Sequence, residues 1–377
     1  MKAGSDIPAL TGLRGVAAIY VVLYHYLIPI GTWKNPGMTL LGHGYLAVDV
    51  FFVLSGFVMA LNYGHMFKNR WSRASYFVFL GRRIARIYPV YFVTTVIAFA
   101  LVATGIIGRY HGSSSLIALI ENLLMVQCWW GNGLSLNAPA WSLSTEWFAY
   151  LIFPLLLIPT LMRGIVSAVI SYACALGALA FLCSLPPHVR EFPNPQSLLN
   201  FVRCDYGLPI IRCVADFTLG LLTYRIAASP FGSKIGESRW MPNSLCILIF
   251  TLFLIPKTDF MIVMALPPLL LAIAFGRNLP LRLLSSGPAM LAGRYSYSLY
   301  LTHQLAGSVM GWVNRQVLAA GLHHPQTIAA AVGILITVPA SFCLYQFVEM
   351  PGRNHLRRVF EGRTNRNAVM STAQAGD

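Results

Sequence analysis

Arg14 and His25 stand eleven residues apart in the apolar stretch LRGVAAIYVVLYHY. On a helix, eleven positions turn through roughly 1100°, about 20° past three full turns. Both side chains then share one face, separated by roughly 16 Å along the axis. That is about half the ~30 Å hydrocarbon thickness of a bilayer. An ionisable residue inside a membrane helix is costly and marks a functional position by default. Two on one face predict a polar track running into the membrane.

A second group of arginines lies in FLGRRIARIYPVYF, where Arg82, Arg83 and Arg86 precede a helix expected to enter the membrane at Pro89. Spacings of three and four put arginines on one helical face. Guanidinium forks bind phosphate bidentately, so the cluster suits a polyphosphate ligand. Anchoring to lipid phosphate explains the same residues without a ligand.

Asp49 lies in the apolar run GYLAVDVFFVLSGFVMA and needs a cationic partner, as a catalytic acid or in a structural ion pair. Ser55-Gly56 follows, a small pair that allows close helix approach. In NAPAWSLSTEWFAYLIFP, Ser142 and Glu146 are four apart and share a face. Glu146 falls in the first turn, where the helix dipole favours negative charge. It is also a candidate to orient a histidine or to bind a hydroxyl-rich acceptor. Ser296, Tyr300 and His303 form a polar stripe in RYSYSLYLTHQ, and Ser142, Tyr300 and His303 are candidates for holding the acceptor. A hydrogen-bonded packing stripe accounts for the same spacing. Glu349 in FVEMPGR is expected to pair with a nearby arginine.

These residues need apolar helices to position them. The chain has 377 residues, 56% hydrophobic and 10% charged, with a mean hydropathy of +0.64. Soluble domains carry about 25% charged residues, so an all-α integral membrane protein is expected. Apolar windows fall at 9–30, 45–63, 87–107, 142–160, 165–183, 208–226, 243–256, 260–276, 289–312 and 326–348. The stretch 116–130 is apolar but holds Glu121, Asn122 and Gln127. About ten transmembrane helices are expected, with 116–130 as a re-entrant or interfacial helix. Residues 1–352 then form one transmembrane domain and 353–377 a basic cytoplasmic tail.

Charge supports that arrangement. With ten spans and a cytoplasmic N-terminus, inside segments hold 18 of the 27 Lys and Arg, and outside loops hold six. This positive-inside bias places both termini in the cytoplasm. The net charge of +15 reads as topology and anionic lipid contact, not nucleic-acid binding. Seven cysteines occur without a C-x-x-C pair, so no metal site or redox motif is expected. Cys183 and Cys204 are the candidates for a disulfide near the outer surface.

Taken in order, Arg14 and His25 with ten residues between, VDVFFVLSGF, RRIARIYP, WSLSTEWF, YSYSLYLTH and FVEMP resemble the membrane acyltransferase-3 family. The resemblance spans residues 7 to about 352. It implies an O-acyltransferase of surface glycans or related molecules in a bacterial inner membrane. Exopolysaccharide acetyltransferases are the branch it suggests. It implies acyl-CoA, usually acetyl-CoA, as cytoplasmic donor, with no tightly bound cofactor. By motif position His25 is then the catalytic histidine and Arg14 its partner. Arg83 and Arg86 form the R-x-x-R element that serves the donor, and Glu146 holds the acidic position. One departure is Met350, where the family often carries a lysine. Some members append an extracytoplasmic hydrolase-like domain. Residues 353–377 do not supply one, so the membrane unit is expected to complete transfer itself or through a polysaccharide-assembly partner.

The expected mechanism uses a polar cavity that opens at the arginines and reaches His25. Arg82, Arg83 and Arg86 would hold the donor phosphates, and Arg14 a phosphate or the thioester region. His25, polarised by Glu146 or Asp49, would act as general base or as an acyl relay. The rival class is a transporter or flippase for a lipid-linked sugar or acylated metabolite. Against it, the chain shows no internal repeat with matching broken helices.

Overall fold

The computed structural model describes residues 7–373 apart from 29–35, 69–71, 106–114, 131–134, 187–188, 190–196, 202–206, 239 and 277. Cys204 and the basic residues Lys2, Lys34, Arg70, Arg109, Arg190, Arg203, Arg239 and Arg277 lie outside the described residues. The described residues are helical, with no strand among them.

Twelve helices carry the argument: α1 (Pro8–Leu27), α2 (Ala47–Tyr63), α3 (Arg73–Ala103), α4 (Leu116–Leu123), α5 (Trp141–Leu151), α6 (Ile165–Ser184), α7 (Leu208–Ala227), α8 (Met241–Phe253), α9 (Asp259–Phe275), α10 (Gly287–Ala319), α11 (Pro325–Leu344) and α12 (Met350–Ala373). Shorter pieces connect them.

Among the described residues, length and apolarity single out five spans where about ten are expected: Pro8–Leu27, Gly37–Tyr63, Arg73–Ala103, Ile165–Ser184 and Pro325–Glu361. A sixth is reached if Ala138–Leu151 and Phe153–Met162, bent by 63°, count as one. The shortfall has physical causes. Helices α8 and α9 have 13 and 17 residues, about 20 and 26 Å at the helical rise, short of the ~30 Å core. Helices α7 and α10 are long enough, but they carry Arg212, Asp216 and Arg225, and Arg294 with the Ser/Tyr/His stripe. The 142–160 window breaks where Pro154 cannot donate a helical hydrogen bond.

Helix α4 has eight residues, about 12 Å and far short of a span. It stops at Met125, whose φ of 58° ends the helix. Helix α3 does not begin at Pro89; it runs through that proline from Arg73, so the arginine cluster and the apolar segment form one rod. Ile165, Val166, Val169 and Ile170 of α6 are exposed, as a lipid-facing surface requires.

Two close crossings set the frame. On α1 and α10, a Cβ at Gly15 would sit 2.5 Å from the Gly293 nitrogen, and one at Gly293 2.1 Å from the Thr11 carbonyl. On α2 and α7, a Cβ at Gly56 would lie 2.0 Å from the Phe217 carbonyl, and one at Gly220 2.0 Å from that of Val53. Only glycine permits such backbone contact. The Ser55-Gly56 pair thus serves the close approach its sequence suggests.

Candidate functional site

A cavity of about 580 Å³ lies where α1, α2, α3, α5, α10 and α12 converge. Seven arginines line it: Arg14, Arg82, Arg83, Arg86, Arg294, Arg353 and Arg357. Glu146 is the single lining carboxylate. Ser55, Tyr63, Ser142, Tyr150, Tyr297 and Tyr300 supply hydroxyls around the wall. A concave surface this cationic suits a multiply charged anion.

The sequence-derived donor residues Arg14, Arg82, Arg83 and Arg86 all lie on this one surface. Arg83 donates from Nη2 to the Tyr63 hydroxyl at 2.5 Å and lies over the Tyr63 ring, 4.7 Å from its centroid. Its Nε is buried and has no hydrogen-bond partner among the described residues. A buried donor without an acceptor is costly, so this atom points to a ligand oxygen. Arg86 pairs with Glu349, which is fully buried and accepts at Oε2 from Ser298 at 2.7 Å. The partner of Glu349 is therefore Arg86 of α3.

Glu146 accepts at Oε1 from Ser55 and from Tyr150, both at 2.5 Å. The helical spacing of Glu146 and Tyr150 could have been read from the sequence; the Ser55 contact could not, because it joins α2 to α5. Ser142 and Tyr300 share a hydroxyl–hydroxyl hydrogen bond of 2.9 Å at the cavity wall.

His25 is not among the cavity-lining residues. The cavity reaches Tyr300, whose ring centroid is 5.7 Å from that of His303. Nε2 of His303 lies 3.3 Å from Nδ1 of His25. The carbonyls around the pair decide the tautomers. His25 Nδ1 faces the Val21 carbonyl at 2.8 Å, and His303 Nδ1 faces the Tyr300 carbonyl at 2.6 Å. A carbonyl only accepts, so both Nδ1 atoms carry hydrogen. The single His25 Nδ1–H is then shared, the Val21 carbonyl accepting it at the shorter distance and His303 Nε2 at the longer, and the lone pair of His25 stands on Nε2. Tyr26 donates to the His303 carbonyl at 2.6 Å and Asn137 to the Leu301 carbonyl at 2.8 Å, fixing this part of α10.

Asp49 has a partner away from the cavity. Arg212 donates from Nε to Oδ1 at 2.8 Å and from Nη2 to Oδ2, a bidentate pair in which both residues are buried. Asp216, one turn along α7, is also fully buried. Asp49 does not line the cavity, and the structure gives it the ion-pair place.

Sequence reasoning passed over several residues. Arg353 and Arg357 line the cavity although topology alone accounts for tail arginines, and Arg294 lines it from within α10. His43 is buried, with Nε2 3.7 Å from Asp259, which accepts from the backbone N–H of Leu198 and Leu199. Cys128 is disulfide-bonded, and Cys204, one of the two candidates for an outer bridge, lies outside the described residues. Among the described residues no group of His, Cys, Asp and Glu is placed to hold a metal ion.

Residues 7–346 match the family model described as an acyltransferase domain. The chain is 29% identical over 373 residues to the acyltransferase MdmB of Streptomyces mycarofaciens, covering 90% of this chain and 92% of that protein. It is 24% identical to the O-acetyltransferase OatA of Staphylococcus aureus, covering 94% of this chain but 58% of that protein. A 156-residue segment is 34% identical to protein 2 in the picA locus of Rhizobium radiobacter, covering 36% of this chain and 75% of that protein. No solved structure matches the chain.

Proposed function

The chain belongs to the membrane acyltransferase-3 family, and from that premise we propose that it moves an acyl group, acetyl in the first instance, from acyl-CoA to a hydroxyl of a cell-surface or lipid-linked carbohydrate. The observation that carries this reading is the cavity. Seven arginines and one carboxylate surround it, and it ends one side chain short of a histidine pair. The arginines suit the phosphates of the donor, and the histidine suits the chemistry.

The arginine end faces the cytoplasm in this reading, where acyl-CoA is found, and both chain termini share that side of a bacterial inner membrane. Helices α7 and α10 add spans to those that length and apolarity identify, with their polar residues turned into the protein. The acceptor is held near Ser142, Tyr300 and His303.

In the direct route, His25 Nε2 takes the proton of the acceptor hydroxyl as that oxygen attacks the thioester carbonyl. The carbon–sulfur bond breaks, and the thiolate leaves and collects the proton. The products are the ester and free thiol. A second route uses the same lone pair as a nucleophile. There Nε2 itself attacks the thioester and the thiolate departs; the acyl-imidazolium then passes its acyl group to the hydroxyl oxygen, the hydroxyl proton goes to the thiolate, and the neutral imidazole is restored.

The test uses purified protein with acetyl-CoA and a carbohydrate acceptor. Wild-type protein should transfer the label, and His25→Ala should bind the donor but lose transfer by about 10²-fold or more, the scale of a general base. Full transfer by His25→Ala overturns both routes. Covalent label on wild-type protein and none on His25→Ala selects the relay. Mass spectrometry of the surface polysaccharide with and without the protein identifies acetyl or another acyl group on the acceptor.

A further inference from the structure

The family match ends at residue 346, and α12 begins at Met350. Yet α12 forms part of the cavity wall through Arg353 and Arg357. It runs antiparallel to the first half of α3, touching it at two points. A Cβ at Gly352 would meet the Pro89 ring at 2.6 Å, and one at Gly81 would meet Phe360 at 2.7 Å. The contacts are eight residues apart on each helix, so the helices stay in register over about 12 Å. Arg353, Arg357 and Glu361 recur every four residues on α12 and share a face. That face meets Arg82 and Arg86.

Glu361 Oε1 accepts from Arg82 Nε at 3.2 Å and from Arg357 Nε at 3.0 Å. One carboxylate oxygen therefore holds two arginines that belong to the cavity wall. All three side chains are more than a third exposed, and ion pairs in water are weak and exchangeable. The charge is also unbalanced. Counting Glu146, Glu349 and Glu361 against the seven lining arginines leaves four positive charges. The nucleotide end of CoA, a 3′-phosphomonoester and a pyrophosphate, brings about four negative ones.

We propose that α12 is part of the donor site, and that Arg353 and Arg357 bind phosphates of the nucleotide end of acyl-CoA, which displace the Glu361 carboxylate from Arg82 and Arg357. This rests on the acyl-CoA reading above and extends the site beyond the matched domain. Glu361 is a placeholder: it keeps two guanidinia paired and spaced for phosphate while the site is empty. The same chemistry would hold an anionic lipid headgroup, so the test separates the two sources.

The experiment titrates CoA into full-length protein in nanodiscs of neutral lipid and of anionic lipid. In neutral discs Arg353→Gln/Arg357→Gln should weaken CoA binding about tenfold or more, because two charge-assisted contacts are lost. Glu361→Gln should tighten it about threefold, because a competing carboxylate is gone. Thermal melts without ligand check that each variant is folded, and the single variants Arg353→Gln and Arg357→Gln replace the double one if it is not. Equal CoA affinity in wild-type and arginine variants overturns the proposal while leaving the acyl-CoA reading intact. Loss confined to anionic discs assigns the arginines to lipid and overturns it too. A wild-type protein that does not bind CoA in either disc overturns the acyl-CoA reading itself. Weaker binding by Glu361→Gln overturns the placeholder role.

Discussion

Nε2 of His303 lies 3.3 Å from Nδ1 of His25. The neighbouring carbonyls place hydrogen on both Nδ1 atoms, so His303 accepts from His25 and leaves the His25 lone pair on Nε2. In the proposed reaction His303 then stands to His25 as an orienting partner: with the Val21 carbonyl it holds the ring, and it would accept part of the charge that develops if Nε2 takes a proton or an acyl group. Such partners fix the tautomer of a working histidine in other sites.

His303→Ala is accordingly expected to lower kcat by about 10- to 100-fold, the range seen when an orienting partner of a functional histidine is removed, with little change in donor KM. His303→Gln places an amide oxygen near the lost Nε2 and should recover much of the rate. Nitrogen NMR of the His25 ring should show the Nδ1–H tautomer in both proteins, because the Val21 carbonyl holds that hydrogen in each; a lost rate with the tautomer kept reports the lost acceptor. An unchanged rate in His303→Ala would remove His303 from the mechanism.

The Asp49–Arg212 pair makes a different prediction. Removing one partner of a buried ion pair costs about 3–5 kcal/mol, whereas replacing both by apolar groups is often neutral. Asp49→Ala and Arg212→Ala should each lower the detergent-solubilised melting temperature sharply. Asp49→Leu/Arg212→Met should restore much of the stability. If the double variant also retains acyl transfer, Asp49 is structural. Loss of transfer in a stable double variant with normal donor affinity would return Asp49 to the chemistry.

How far the sequence reached depends on whether a relationship lies within one helix or between two. Arg82, Arg83 and Arg86 share α3, and Ser142 and Glu146 share α5; their spacing gave their common cavity wall. Asp49 needed a partner, but nothing in the sequence points to Arg212, 163 positions on. The His25–His303 contact spans 278 positions and is equally silent in the sequence. Fewer spans are identified by length and apolarity than the sequence leads one to expect, for a related reason. Helix α7 is largely buried and α10 buries its Ser296, Tyr300 and His303 stripe, and these polar residues dilute the apolar signal from which spans are read. Arg353 and Arg357 were hidden because a topological explanation for tail arginines already existed.

The crossing of α2 and α7 tests the frame apart from the chemistry. A Cβ at Gly56 would lie 2.0 Å from the Phe217 carbonyl oxygen, a backbone atom that cannot rotate away. Gly56→Ala should cost about 1–3 kcal/mol by overpacking and lower transfer by separating Ser55 from Glu146. Gly177→Ala on α6, where a Cβ meets nothing within 4 Å, should leave stability within ~0.5 kcal/mol of wild type. Comparison of the two melting temperatures decides the point.

Glu146 supplies the sharpest separation of binding from chemistry. It is the only carboxylate among the lining residues, and two hydroxyls converge on one of its oxygens. Glu146→Gln keeps an acceptor for Ser55 or Tyr150 but removes the negative charge. The cavity then becomes more cationic, so CoA should bind as tightly as before or tighter. If Glu146 positions or polarises the reacting groups, kcat should fall by about 10²-fold or more. The two effects run in opposite directions, which a collapsed site cannot imitate, since collapse weakens both. Titration of CoA and single-turnover transfer on the same preparation read them separately. Equal losses of affinity and rate would mark Glu146 as a packing residue of α5 and nothing more.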